Sequence, residues 1–143
     1  MIRIENLSRK FEVGNQIVRA LDHIDLEITK GEYLSIMGVS GSGKSTLLNI
    51  LGLLDTPTKG DYILSGINTS EMNDDEMAHI RSTKIGFVFQ SFHLIPRLTA
   101  AENIEMPMVL AGIKPKERQE KVEQALSHVS LNDRADHKPE QLS

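Results

Sequence analysis

The sequence predicts an α/β domain, strand-rich at its N-terminus and helical at its C-terminus, and three observations carry that expectation. Apolar residues alternate with polar ones through much of residues 1–37, the period of half-buried strands. A glycine-rich loop at residues 38–45 follows an apolar run and opens a segment of helical period. After Pro96 the pattern stays helical.

Each element follows from its residues. Ile2 and Ile4 alternate with Arg3 and Glu5, and Ile24, Leu26 and Ile28 with Asp25 and Glu27. Gly14-Asn15, at the centre of residues 12–16, predicts a turn between these strands. Tyr33-Leu34-Ser35-Ile36-Met37 is a short apolar run ending at a glycine, the pattern of a buried strand. From Lys44, Leu47, Ile50, Leu51 and Leu54 recur at helical spacing, with a stop expected near Asp55 because Pro57 follows. Tyr62-Ile63-Leu64 predicts a further strand, and Asn73 with Glu76 a capping box opening a helix. Ile85-Gly86-Phe87-Val88-Phe89 reads as an apolar strand ending at Gln90. Thr99 and Glu102 form a second capping box, and Val122, Ala125, Leu126 and Val129 one apolar helix face. Glu117 and Lys121 are an i,i+4 pair on a solvated face. The expected domains are 1–90, the N-terminal part of a nucleotide-binding α/β core, and 91–143, a helical subdomain.

Composition narrows the function. The 143 residues carry a formal net charge of −4, no tryptophan and few aromatics. That balance argues against a general nucleic-acid or anionic-membrane binder, and no nucleic-acid partner is expected. The absence of cysteine excludes disulfides and thiolate metal sites and fits a reducing cytoplasm. The five histidines are scattered without metal-ligand spacing. No apolar run approaches the ~20 residues of a membrane span, and the first residues lack a secretory signal. A cytoplasmic protein is expected, reaching a membrane only through a partner.

Gly38-Val39-Ser40-Gly41-Ser42-Gly43-Lys44-Ser45 matches the phosphate-loop pattern G-x-x-x-x-G-K-[ST] at every fixed position. Gly38, Gly41 and Gly43 let the backbone wrap so that successive N–H groups, Ser40 and Ser42 among them, face phosphate oxygens. The helix opening at Lys44 adds its unpaired N–H groups and the positive end of its dipole. Lys44 reaches the β- and γ-phosphates, the Ser45 hydroxyl ligates Mg²⁺, and Thr46 is placed for the α-phosphate. A flexible Gly/Ser linker needs neither Lys-Ser at its end nor flanking apolar elements. The motif therefore points to a nucleoside triphosphate, without choosing among the families that share it.

Other residues choose. Ser40-Gly41-Ser42-Gly43-Lys44-Ser45-Thr46-Leu47 resembles the loop of ATP-binding cassette (ABC) proteins, and the strand ending at Gln90 resembles their Q-loop. Lys138-Pro139-Glu140-Gln141-Leu142-Ser143 is similar to the lead-in to the family signature LSGGQ, of which two letters are present. The resemblance covers the whole chain. It is closest to the lipoprotein-release and macrolide-export branch, on Ser35-Ile36-Met37-Gly38, Lys84-Ile85-Gly86-Phe87-Val88-Phe89-Gln90 and Phe92-His93-Leu94-Ile95-Pro96-Arg97-Leu98-Thr99-Ala100. Two departures are Val39, where the branch usually has Pro, and Phe11, where Tyr is commoner.

The resemblance implies a P-loop NTPase core of the ABC type, with N-terminal antiparallel β elements and a C-terminal helical subdomain, truncated within the signature. It implies that Phe11 stacks on adenine, that Val18 flanks the base, and that Gln90 helps ligate Mg²⁺ and senses the γ-phosphate. ATP and Mg²⁺ are the implied cofactors. A membrane-spanning permease subunit and a second ATP-binding subunit are the implied partners, at the inner face of the cell membrane. Met106, Pro107, Met108 and Leu110 belong either to the core or to a groove for a cytoplasmic helix of the permease.

A complete motor also needs an Asp ending a buried strand, a Glu that polarises water, the signature loop and a switch histidine. Ile50-Leu51-Gly52-Leu53-Leu54-Asp55 fits the first by letters, but it continues the helix launched by the phosphate loop, and Thr56 follows instead of Glu. The expectation is an ABC-type ATPase subunit of which these residues hold the binding half, with no catalytic residue and Gln90 as sensor. The competing expectations are a nucleotide-binding fragment without turnover and, third, a soluble cassette acting on ribosomes or DNA.

Overall fold

A computed structural model describes residues 1–90 and 93–142. The chain divides into two compact units, Met1–Phe87 and Val88–Ser143, each described by itself. Phe92, which opens one of the phrases of resemblance, and Ser143, the last signature letter, lie outside the described residues.

The first unit is built on a four-stranded antiparallel sheet of order β2-β1-β3-β4. Strands β1 (Ile2–Val13) and β2 (Gln16–Ile28) form a long hairpin whose two-residue loop is Gly14-Asn15. Gly14 takes φ 60°, as the first central position of a primed hairpin turn requires. Strands β3 (Lys59–Leu64) and β4 (Ile67–Asn68) extend the sheet beyond β1. Helix α1 (Lys44–Leu51) packs on the sheet. Ile4, Leu7, Leu21, Leu47, Ile50, Leu53, Tyr62 and Leu64 make one buried cluster there. Each large side chain in it contributes about 1.5–3 kcal/mol of burial.

The β1–β2 register shifts between Leu7 and Lys10. There the buried Ser8 hydroxyl accepts a 3.0 Å hydrogen bond from the His23 N–H. Such irregularities re-aim the side chains that follow, here Arg9 and Phe11.

The C-terminal end of α1 is held by side chains, since the last carbonyls of a helix have no partner within it. The Tyr62 hydroxyl donates to the Leu51 carbonyl and Arg81 Nη1 to the Leu53 carbonyl. Arg9 makes a two-pronged ion pair with Asp55, Nε to Oδ2 at 2.9 Å and Nη2 to Oδ1 at 2.7 Å. Helix α2 (Asp74–Lys84) opens on the expected Asn73–Glu76 capping box, both hydrogen bonds formed.

In the second unit α3 (Ala100–Leu110) opens on the Thr99–Glu102 capping box, and α4 (Pro115–His128) lies against it. Ala100, Val122 and Leu126 form its buried cluster. Two short 3₁₀ turns, Asn132–Arg134 and Pro139–Gln141, follow.

Several expectations are corrected. Residues 33–37 form no strand, with Tyr33 93% and Met37 87% exposed. Residues 85–89 form none either, and the Val88 side chain is wholly exposed. Both runs have the letters of buried parallel strands, but neither finds a ladder partner among the described residues, and a strand exists only in a ladder. Helix α1 ends at Leu51 rather than near Asp55, because Gly52 caps it, and Leu54 is exposed. Val129 lies past the end of α4 and is exposed, so the buried face of that helix is Val122 and Leu126. Met108 packs on the second cluster, whereas Leu110 is 81% exposed.

Candidate nucleotide-binding site

The glycine-rich loop lies between an extended run and α1, and its conformation follows from its residues. Gly43 is the N-cap of α1 at φ 88°. A Cβ there would collide with the Ala20 carbonyl oxygen of β2 and crowd Leu21. Only glycine both adopts this conformation and lets the loop touch the hairpin. Gly41 also has a positive φ, 81°. The Ser42 N–H donates to the Val39 carbonyl at 3.3 Å, which curls the loop.

No side chain caps the first turn of α1, and no acidic residue lies in it. The N–H groups and the positive dipole end are thus left for an external anion. The Lys44 ammonium folds back on its own loop, donating to the Gly38 carbonyl at 2.8 Å and the Val39 carbonyl at 2.6 Å, with the Ser42 hydroxyl 3.5 Å away. These neutral acceptors leave its charge unpaired. A triphosphate oxygen is a stronger acceptor than either carbonyl.

A cleft of about 190 Å³ joins the loop to the hairpin. Gly41, Gly43, Lys44, Ser45 and Thr46 form one wall, and Val18, Arg19 and Ala20 of β2 the other. The exposed Ser45 hydroxyl is an oxygen donor of the kind Mg²⁺ accepts alongside phosphates and water. Larger clefts exist beside Arg81 and between α3 and α4, but neither includes a residue of the phosphate loop. The cleft at Lys44 contains no carboxylate.

Phe11 pairs with Val18 across the hairpin, so the two side chains share a sheet face. Phe11 is half-buried and belongs to neither buried cluster nor the residues packed around them. The Arg9 guanidinium lies over its ring, 4.5 Å from the centroid. Ser40 is exposed in the loop and does not line the cleft. Gln90 is exposed and belongs to the second unit, so its place in a nucleotide site rests on resemblance. Asp55 is a structural residue, occupied by Arg9 and by the Thr56 N–H at 2.8 Å.

Three residues escaped the sequence reading. Arg19 and Ala20 line the cleft because β2 runs alongside the loop. The glycine at position 43 was the available signal, since it marks a close backbone approach. Arg9 gave no signal, because its partner Asp55 is distant in sequence. Among the described residues no cluster of His, Asp or Glu could hold a metal, and no helix is long and apolar enough to cross a membrane.

Comparison with known proteins places the chain in a family. A family model described as ABC transporter matches residues 21–143. The chain is 51% identical over 143 residues to the uncharacterized ABC transporter ATP-binding protein YknY of Bacillus subtilis (strain 168), covering all of this chain and 62% of that protein. It is 50% identical over the same length to the macrolide export ATP-binding/permease protein MacB of Brucella abortus (strain 2308), covering 22% of it. A dimeric structure of a post-hydrolysis state of the ATP-binding cassette MJ0796, bound to ADP and Pi, superposes with a TM-score of 0.88 at 45% identity, covering 63% of that chain. MJ0796 is a protein of Methanocaldococcus jannaschii. The chain thus spans under two thirds of the length of these relatives. With a family model matched over most of its length and the phosphate loop folded against its hairpin, the chain belongs to the ABC transporter family.

Proposed function

We propose that this chain binds ATP with Mg²⁺ in the cleft between the phosphate loop and the hairpin, as the nucleotide-binding part of a transport ATPase. The observation that carries the reading is the meeting of Lys44 and the uncapped N-terminus of α1 with Val18 of β2 in one cleft. Lys44 would turn from the Gly38 and Val39 carbonyls to the β- and γ-phosphates. Backbone N–H groups from Ser40 to Ser45 would hold the phosphate oxygens, and Thr46 the α-phosphate. The Ser45 hydroxyl would hold Mg²⁺, which neutralises charge on the phosphates when bound. Phe11 would stack on the adenine with Val18 flanking it.

In the intact protein we place this unit in a pair of ATP-binding subunits that hydrolyse ATP and drive a membrane-spanning permease, at the cytoplasmic face of the membrane. The dimeric state of MJ0796 and the ATP-binding/permease name of MacB support that reading. The likeness to MacB favours export.

A second reading has its own observation. The cleft holds no carboxylate, and Asp55 is committed to Arg9. Residues 1–143 alone would then bind ATP without turning it over, since no general base orients water. Phosphate release from the 143-residue chain, measured beside nucleotide binding, tests it. Binding without release is the expected outcome. Release that Lys44→Ala abolishes would show that a catalytic carboxylate lies within these residues.

A further inference from the structure

Phe11 is a solvent-accessible ring near the tip of a hairpin, and such a ring ordinarily swings among several rotamers. Here it cannot do so freely. Arg9 stands two residues before it on β1, and across the register shift there its side chain still reaches the ring. The guanidinium covers one face of the ring at 4.5 Å from its centroid. The same guanidinium is locked in a planar fork by both oxygens of Asp55. Both side chains of that ion pair are largely shielded, 23% and 21% exposed. Asp55 follows the turn that ends α1, the helix whose other end is Lys44.

We propose that Arg9 is a positioning residue: held by Asp55, it fixes the Phe11 ring as a one-sided platform for the base of the nucleotide. The proposal rests on the reading of Phe11 as the base-stacking residue. Arg9 touches neither base nor phosphate in it. One ring face is filled by the guanidinium, which leaves the other for a flat ligand. A ring already held in place loses less rotamer freedom when the ligand arrives. The fork is specific to arginine, since lysine can keep a charge over the ring but cannot make the paired bonds to Asp55. The platform for the base and the loop for the phosphates are thereby tied to opposite ends of one helix, about 12 Å long for eight residues. A bare stabilising ion pair would have no need of the ring.

The test separates base from phosphates. Affinities of the full chain for ATP and for inorganic tripolyphosphate, both with Mg²⁺, are measured for Arg9→Gln, Arg9→Lys, Asp55→Asn and Phe11→Ala, and for Arg9→Gln combined with Phe11→Ala. Circular dichroism establishes the fold of each variant first. Arg9→Gln and Asp55→Asn should each weaken ATP about three- to tenfold and leave tripolyphosphate within about twofold. Arg9→Lys should fall between wild type and Arg9→Gln, and it serves as the probe if Arg9→Gln does not fold. In the Phe11→Ala background Arg9→Gln should have no further effect, because its action runs through the ring. Equal losses for ATP and tripolyphosphate, or full additivity with Phe11→Ala, would overturn the proposal. If Phe11→Ala weakens ATP while the Arg9 variants do not, this inference alone fails. If Phe11→Ala leaves ATP unchanged, the base-stacking reading fails and takes this inference with it.

Discussion

The Tyr62 hydroxyl of β3 donates a 2.8 Å hydrogen bond to the carbonyl of Leu51, the last residue of α1. This bond ties the helix launched by the phosphate loop to the sheet at its far end. Tyr62 is 1% exposed, and burial pushes its pKa from 10.0 up to about 12.

Tyr62→Phe should therefore cost about 1 kcal/mol, since the part-buried Leu51 carbonyl loses its partner. The pH dependence has a definite sign. A raised folded pKa favours the neutral phenol, so this contribution is complete below pH 10 and is lost as pH rises toward about 12. Urea unfolding at neutral and rising alkaline pH checks both points, and Tyr62→Phe should flatten the alkaline fall.

Gly43→Ala should be among the most damaging small changes in the loop. Its φ of 88° costs a side chain about 1–3 kcal/mol, and the new Cβ meets the Ala20 carbonyl. Gly41→Ala, at a similar φ but with open space around it, should cost less. Thermal unfolding of both variants makes the comparison.

The capping boxes offer a local test. The Asn73 side-chain oxygen accepts from the Glu76 N–H at 3.0 Å, and the Glu76 carboxylate accepts from the Asn73 N–H at 3.0 Å. Asn73→Ala should cost about 1 kcal/mol and Asn73→Gly a few tenths. Hydrogen exchange should quicken first in the opening turn of Asp74–Lys84.

What was legible in the sequence was what neighbouring residues decide. Both capping boxes, the Gly14-Asn15 turn and the Leu47–Ile50 stripe depend on residues within a turn or two, and each is present. The loop was legible because the phosphate-loop pattern sets glycine, lysine and serine at fixed spacing. Residues 33–37 and 85–89 were misread because strand character depends on a partner elsewhere in the chain. Val129 was misread because α4 ends before it. The Arg9–Asp55 pair was hidden by sequence distance, and Asp55 lies past the end of α1 rather than within a continuing helix.

Phe11 should affect the base and not the phosphates. Phe11→Ala should cost about 1–3 kcal/mol of ATP affinity, and Phe11→Tyr, which keeps the π-face, should stay near wild type. A Phe11→Ala variant that has lost its fold before nucleotide is added, seen by circular dichroism, would place Phe11 in the core instead.

The most direct measurement is a calorimetric titration of ATP with Mg²⁺ into the wild-type chain and into Lys44→Ala. The charge-assisted bonds that Lys44 would give the phosphates are worth about 1.5–3 kcal/mol, so affinity should fall about ten- to hundredfold. Its present partners are exposed loop carbonyls, and the fold should survive the change. Equal affinities in the two forms would contradict the account, because the nucleotide would then not be held at this loop.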